Sequence, residues 1–193
     1  GFFLIFLELV VINFAWTGQF PPDVIYLQVI WAIGLSMVAL SLLIGFSKKW
    51  LWIISLFIIF GHNLLEKVSF VDMPLLQNFW FIFYERGWIE LGGVRLRTSY
   101  PVLPWIGIIT LGYCIGSRLF DSKQESHNRN TALLGIGVIS ISLFFILRFI
   151  NLYGDQAWST MPSLLETIMS FFNLTKYPPS LLFTLFNVGV GFI

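Results

Sequence analysis

The uncharged stretch from Trp50 to Phe60 runs straight into Gly61-His62-Asn63-Leu64-Leu65-Glu66-Lys67. A continuous helix over 50–67, rising 1.5 Å per residue, puts His62 about 18 Å along its axis. A bilayer's hydrocarbon core is about 30 Å thick, so that level is past the middle and still inside. Polar groups at such depth are costly and mark functional positions. An imidazole, a carboxamide, a carboxylate and an ammonium within six residues therefore frame the rest of the chain.

The composition agrees with a lipid environment. Of 193 residues, 57% are hydrophobic and 11% charged, against about a quarter charged in soluble domains. The reading is an all-α polytopic membrane protein whose partner is the lipid bilayer. The net charge of +1 gives no electrostatic basis for nucleic-acid binding. A single cysteine, Cys114, excludes an internal disulfide and a cysteine metal cluster. One histidine beside one carboxylate falls short of the three or more ligands a metal needs, so no metal is expected. Both ends of the sequence are apolar, without a charged leader, and the chain reads as an internal piece of a longer protein.

About six transmembrane helices are expected, over 1–16, 23–46, 50–67, 100–120, 131–151 and 178–193, in one domain. The first carries Glu8 at its centre and Asn13 a turn later. Thr17 to Asp23 is a tight loop with two prolines, and Asp23 is placed to cap the second helix. Gly34 and Ser36 allow close helix contact. Between the third and fourth spans, 75–84 is apolar but too short to cross and reads as an interfacial segment. Residues 88–97 form a β-hairpin around Gly92-Gly93, a turn that needs positive φ. In that register Leu91 faces Val94, Glu90 faces Arg95 and Ile89 faces Leu96, so opposite charges meet across the strands. Prolines 101 and 104 suit a helix's first turn. Residues 121–130 form a polar loop containing His127, and 162–173 a short surface helix. Gly135, Gly137, Gly189 and Gly191 read as packing glycines.

Short loops rich in Lys and Arg stay on the cytoplasmic side. Lys48 and Lys49, and Arg118, Lys123 and Arg129, fall on one side of a six-span chain. The His62 end of the third span and the starts of the fourth and sixth then face away from the cytoplasm. The unusual polar residues are expected to gather at that end.

His62 and Glu66, four apart, share a face of an α-helix, and a carboxylate beside an imidazole suits a general base. The bland alternative is a histidine bonded to a neighbouring helix and a carboxylate among headgroups. Arg148, in an apolar run, calls for an anion: Glu8, Glu66, Asp155 or an anionic ligand. Asn151 shares its face. Lys176, Tyr177 and Ser180 stand at the mouth of the last helix, whose free N–H groups suit an oxyanion or polar sugar. With Asn63, Tyr100, Trp105, Tyr153 and Asp155 they make up the candidate substrate contacts.

Five segments stand in an order that resembles the catalytic-domain family of heparan-α-glucosaminide N-acetyltransferase: 27–36, Gly-His-Asn-Leu-Leu (61–65), Tyr-Pro-Val-Leu-Pro-Trp-Ile-Gly (100–107), Asn-Leu-Tyr-Gly-Asp (151–155) and Thr-Lys-Tyr-Pro-Pro-Ser-Leu-Leu-Phe (175–183). The resemblance implies a polytopic acyltransferase of the bacterial inner membrane. It would take an acetyl or other acyl group from acetyl-CoA or another acyl-CoA, as co-substrate, and pass it to a sugar or glycan acceptor outside. The histidine proposed as catalytic in that family belongs to helices upstream of Gly1, and His62 stands in a different motif. The acceptor, the acyl chain, a homo-oligomer and the choice between direct transfer and an acyl-enzyme stay open. A transporter for a small polar or anionic solute and a structural membrane subunit are the competing readings. A transporter predicts related halves with broken helices, and no such halves stand out.

Overall fold

The computed structural model describes residues 1–120 and 126–193, with Ser126 and His127 described in the main chain alone. They divide into two units, Gly1–Cys114 and Ile115–Ile193.

The first unit opens with helix α1 (Phe2–Thr17). Its middle, Leu7–Ile12, widens to π-helical hydrogen bonding, a departure often found where a side chain has special work. Glu8 and Asn13 are buried there. The Asn13 amide donates to the carbonyls of Glu8 (2.6 Å) and Tyr26 (3.0 Å) and accepts from the Tyr26 N–H (2.6 Å). Gly18 closes the helix in a left-handed conformation, φ 66°.

Asn13 thereby holds strand β1 (Val24–Leu27), which lies where the sequence suggested the start of a helix. Helix α2 begins only at Val29 and runs to Leu43, with Gln28 at its N-cap. Asp23 is therefore not the cap; its carbonyl accepts from the Arg95 N–H at 3.1 Å. Val-Ile-Tyr-Leu is β-prone, and a ladder partner distant in sequence outweighs the local helical pattern. The carboxylate at the start of α2 comes instead from α1: Glu8 Oε2 accepts from the Trp31 N–H at 3.1 Å.

Helix α3 (Lys48–Lys67) is α-helical to Gly61 and tightens to a 3₁₀ helix from His62 onward. Helix α4 (Pro74–Phe83) follows with proline in its first turn. Strands β2 (Gly87–Leu91) and β3 (Val94–Thr98) form the expected hairpin, with Leu91 opposite Val94, Glu90 opposite Arg95 and Ile89 opposite Leu96. Gly92 and Gly93 have φ of 55° and 92°, as that turn requires. The sheet has a third member: β1 runs parallel to β3, in the order β1-β3-β2. Helix α5 (Leu103–Leu119) leaves the sheet through Tyr100 and Pro101, with Pro104 in its first turn. Glycines set two close approaches. A Cβ on Gly34 would lie 2.9 Å from the Gly1 carbonyl, and one on Gly107 2.8 Å from Ile58 Cγ2.

In the second unit, helix α6 (Ser126–Ile150) starts earlier than expected. Residues 126–130, assigned to the polar loop, are helical, while 121–125 and the His127 side chain lie outside the described residues. Asn151, at φ 58°, ends α6 in the left-handed region that asparagine tolerates better than most residues. Helix α7 (Leu164–Phe172) is the expected surface helix. Its capping box has the Ser163 hydroxyl accepting from the Glu166 N–H and the Glu166 carboxylate accepting from the Ser163 N–H. Helix α8 (Leu181–Phe192) crosses α6, and a Cβ on Gly189 would sit 2.5 Å from Ile141 Cγ1. Gly137 lies in the same crossing, whereas Gly135 and Gly191 face open space and are not packing glycines. Phe144, fully buried, anchors the aromatic core with Phe171, Phe172 and Phe186.

The described chain is thus mostly helical, with a small sheet. Two helices are long and apolar enough to cross a membrane: α3, 20 residues, and Asn128–Ile150 within α6, 23 residues. The other four expected spans correspond to Phe2–Thr17, Val29–Leu43, Leu103–Leu119 and Leu181–Phe192. These are shorter than the roughly 20 residues of a perpendicular crossing.

Candidate functional site

In the first unit the site begins at the end of α3. His62 is 3% exposed. Its Nδ1 lies 3.0 Å from the Ile58 carbonyl oxygen and 2.9 Å from that of Ile59. A carbonyl can only accept, so Nδ1 carries a proton. The Tyr84 ring meets the imidazole edge-on, with centroids 6.3 Å apart. Tyr84 is held by Trp80 at 5.2 Å, and Trp80 donates to the Val68 carbonyl just past α3 (3.0 Å). The segment expected to lie flat in the interface thus ends with Tyr84 against the histidine.

Glu66 does not pair with His62. In a 3₁₀ helix residues three apart eclipse and residues four apart do not, so the tightened turn takes Glu66 off the His62 face, and it is exposed. Asn63 is half-buried. From α5, Trp105 presents an indole N–H that is buried without a hydrogen-bond partner, beside the Tyr100 ring at 6.1 Å. Gly107 brings α5 against Ile58 and Ile59, the residues whose carbonyls hold the imidazole. His62 and Trp105 each lie within about one helical turn, ~5.4 Å, of that crossing. The unit thus holds a buried imidazole and, on α5, a buried indole donor without a partner.

In the second unit Arg148 is 1% exposed. The direct partners are main-chain carbonyls, with the expected Asp155 acting only as a nearby counter-charge: Nε donates to Phe171 (2.7 Å), Nη1 to Gln156 (2.8 Å), and Nη2 to Ser170 (3.0 Å) and Asn173 (3.2 Å). Most of these lie at the C-terminus of α7, the negative end of its dipole. Asn151 closes the adjoining loop by exchanging two hydrogen bonds with the Trp158 main chain, both 2.9 Å. Asp155 accepts from the Gln156 N–H (2.7 Å), the Thr175 N–H (2.9 Å) and hydroxyl (2.7 Å), and the Ser180 hydroxyl (2.5 Å). Ser180 in turn caps α8 by accepting from the Phe183 N–H at 3.0 Å. Arg148, Asn151, Asp155 and Ser180 are therefore engaged in holding the unit together. Burial pushes the pKa of the half-buried Tyr153 phenol up, so it is a neutral group at physiological pH. Lys176 is exposed, its ammonium 5.1 Å from the Tyr177 ring centroid.

The family described as heparan-alpha-glucosaminide N-acetyltransferase, catalytic, matches residues 2–151. The chain belongs to this family. Neither a curated protein nor a solved structure matches it. The N-acetyltransferase family is membrane-associated, and membership suggests membrane acetyltransferase activity. The match takes in the first unit with its histidine and most of α6, whereas the 175–183 segment lies beyond it. Sequence reasoning missed two contacts in the matched part. Tyr84 closes on His62 from a neighbouring element, and Glu8 is tied to α2 through a π-helical turn. A carboxylate at the centre of an apolar helix was the one visible signal for the latter.

Proposed function

We propose that this chain forms part of an integral membrane acyltransferase that moves an acetyl or other acyl group from an acyl-CoA to a sugar amine or hydroxyl at the extracytoplasmic face. The reading rests on family membership over residues 2–151. One observation gives it a chemical centre: the buried imidazole whose Nδ1 is held by the Ile58 and Ile59 carbonyls, an orientation in which Nε2 is the nitrogen assigned to proton transfer.

In this scheme the acceptor nitrogen or oxygen attacks the thioester carbon while His62 Nε2 takes its proton. The new bond to the acyl carbon forms, the carbon–sulfur bond breaks, and the CoA thiolate leaves and is protonated. The Trp105 indole N–H supplies a donor for the carbonyl oxygen as it gains charge. A donor kept dry and unpaired in the resting site suits that task, because no existing bond must be broken first. Tyr100 and Asn63 flank the acceptor.

The test uses full-length protein in sealed vesicles, labelled acetyl-CoA and an external amino sugar. Label should appear on the sugar and fall about a hundredfold or more in His62→Gln. Solute uptake without labelled product would replace the enzyme with a transporter. Full activity in the variant would remove His62 from the mechanism.

A further inference from the structure

The β1-β3-β2 sheet has one covered and one open face. Ile89, Leu27 and Thr98 point into the first unit and are buried. Alternation along the strands puts Trp88, Glu90, Arg95, Arg97 and Tyr26 on the other face. Trp88 is 46% exposed. The Arg97 guanidinium lies 5.1 Å and that of Arg95 5.6 Å from its ring centroid. Two like charges are thus gathered on one indole. Glu90 stands opposite Arg95 in the ladder, yet among the described residues no carboxylate or other acceptor bonds to either guanidinium. The planar N–H edges remain available, and their fork matches a phosphate or carboxylate.

The sheet's place in the unit says which anion is near. β1 ends at Leu27 and apolar α2 starts at Val29, while β3 ends at Thr98 and apolar α5 starts at Leu103. With α2, α3 and α5 in a bilayer, as the proposed function holds, the open face stands at the level of the headgroups. Tryptophan favours that level, and basic side chains there are drawn to anionic lipid.

We propose that Arg95 and Arg97, backed by Trp88, bind the phosphate of an anionic phospholipid headgroup and so seat the sheet on the membrane surface. Arginine supplies two parallel N–H bonds to phosphate oxygens, and the indole keeps both side chains extended toward the lipid. The site shares no residue with the His62 centre, whose contacts are Ile58, Ile59 and Tyr84.

The experiment reconstitutes the full-length protein in vesicles of phosphatidylcholine with a minor share of phosphatidylglycerol and measures, by mass spectrometry, the lipid retained on extraction. Wild type should be enriched in phosphatidylglycerol, and the double variant R95Q/R97Q should lose that enrichment by about tenfold or more. Amide exchange of β2 and β3 checks that the sheet survives. If it does not, R95K/R97K decides, since lysine keeps the charge and loses the fork: a partial fall supports the site. Unchanged enrichment with an intact sheet overturns it. Displacement of the lipid by millimolar inorganic phosphate alone would make the ligand free phosphate and overturn the headgroup assignment. Carbonate washing separates the two readings: release of wild type overturns the membrane reading itself, whereas retention with unaltered lipid preference in the variant overturns the headgroup site alone.

Discussion

Replacing Arg148 tests how the second unit is held together. Arg148→Met keeps much of the apolar stem and its contact with Phe171, whose ring lies 5.7 Å from the guanidinium, but removes all four hydrogen bonds to main-chain carbonyls. Hydrogen bonds from a charged donor contribute about 1.5–3 kcal/mol each. They do not add, because they share one side chain and carbonyls at a helix end can turn toward water. A carbonyl left buried without a donor costs about 1–3 kcal/mol, so with some of the four turning to water the expected loss is about 3–5 kcal/mol. Arg148→Lys should recover only part of it, since one ammonium cannot reach acceptors arranged around a planar fork. Amide exchange provides the assay. At about 1.4 kcal/mol per factor of ten, protection of α7 and of 156–163 should fall by about a hundredfold or more in Arg148→Met, with α6 far less affected. Moderate salt should change little, because the partners are buried dipoles rather than exposed charges. Wild-type protection of α7 in Arg148→Met would refute the reasoning and return the arginine to the role of ligand contact.

Further outcomes follow from the packing and the site. Gly189→Ala should lower stability by about 1–3 kcal/mol through overpacking against Ile141, whereas Gly135→Ala, facing open space, should not; equal thermal shifts would mean that α6 and α8 do not cross at Gly189. Trp105→Phe keeps the ring and removes the N–H, so kcat should drop by about a hundredfold or more with little change in KM; a change confined to KM would make the indole a binding group only. Nitrogen NMR of labelled His62, at a pH where the ring is neutral, should show a protonated Nδ1 and a bare Nε2, and the opposite tautomer would sink its assignment as a base through Nε2.

The hairpin was legible to the residue because three independent signals coincide: two adjacent glycines, apolar alternation and the Glu90–Arg95 charge pairing. β1 was not. Val24 to Leu27 merges with the apolar pattern of α2, and a parallel partner some seventy positions away leaves no turn signal nearby. The histidine's burial could be read from its place in an apolar run, yet its pairing with Glu66 could not. That pairing depended on α-helical spacing, and the end of α3, His62–Lys67, is wound more tightly as a 3₁₀ helix. Arg148 was recognised as needing compensation, and its partners were missed for a simple reason. Backbone carbonyls have no letter in the sequence, and the helix end that presents them is positioned by Asn151 and Trp158 in three dimensions. The knot around Asp155 was hidden in the same way, inside a segment that reads naturally as a ligand-binding mouth.

The parallel pairing of β1 with β3 constrains the order of events during synthesis. β1 emerges from the ribosome well before its partner exists, and long-range pairings are slow because the intervening loop must first be closed. Asn13 on α1 bonds the Tyr26 N–H and carbonyl on the strand edge turned away from β3, so these two bonds do not wait for the hairpin. That side chain therefore acts as an early clasp, keeping the strand extended and out of the neighbouring helix before its sheet partner is made and holding the same bonds afterwards.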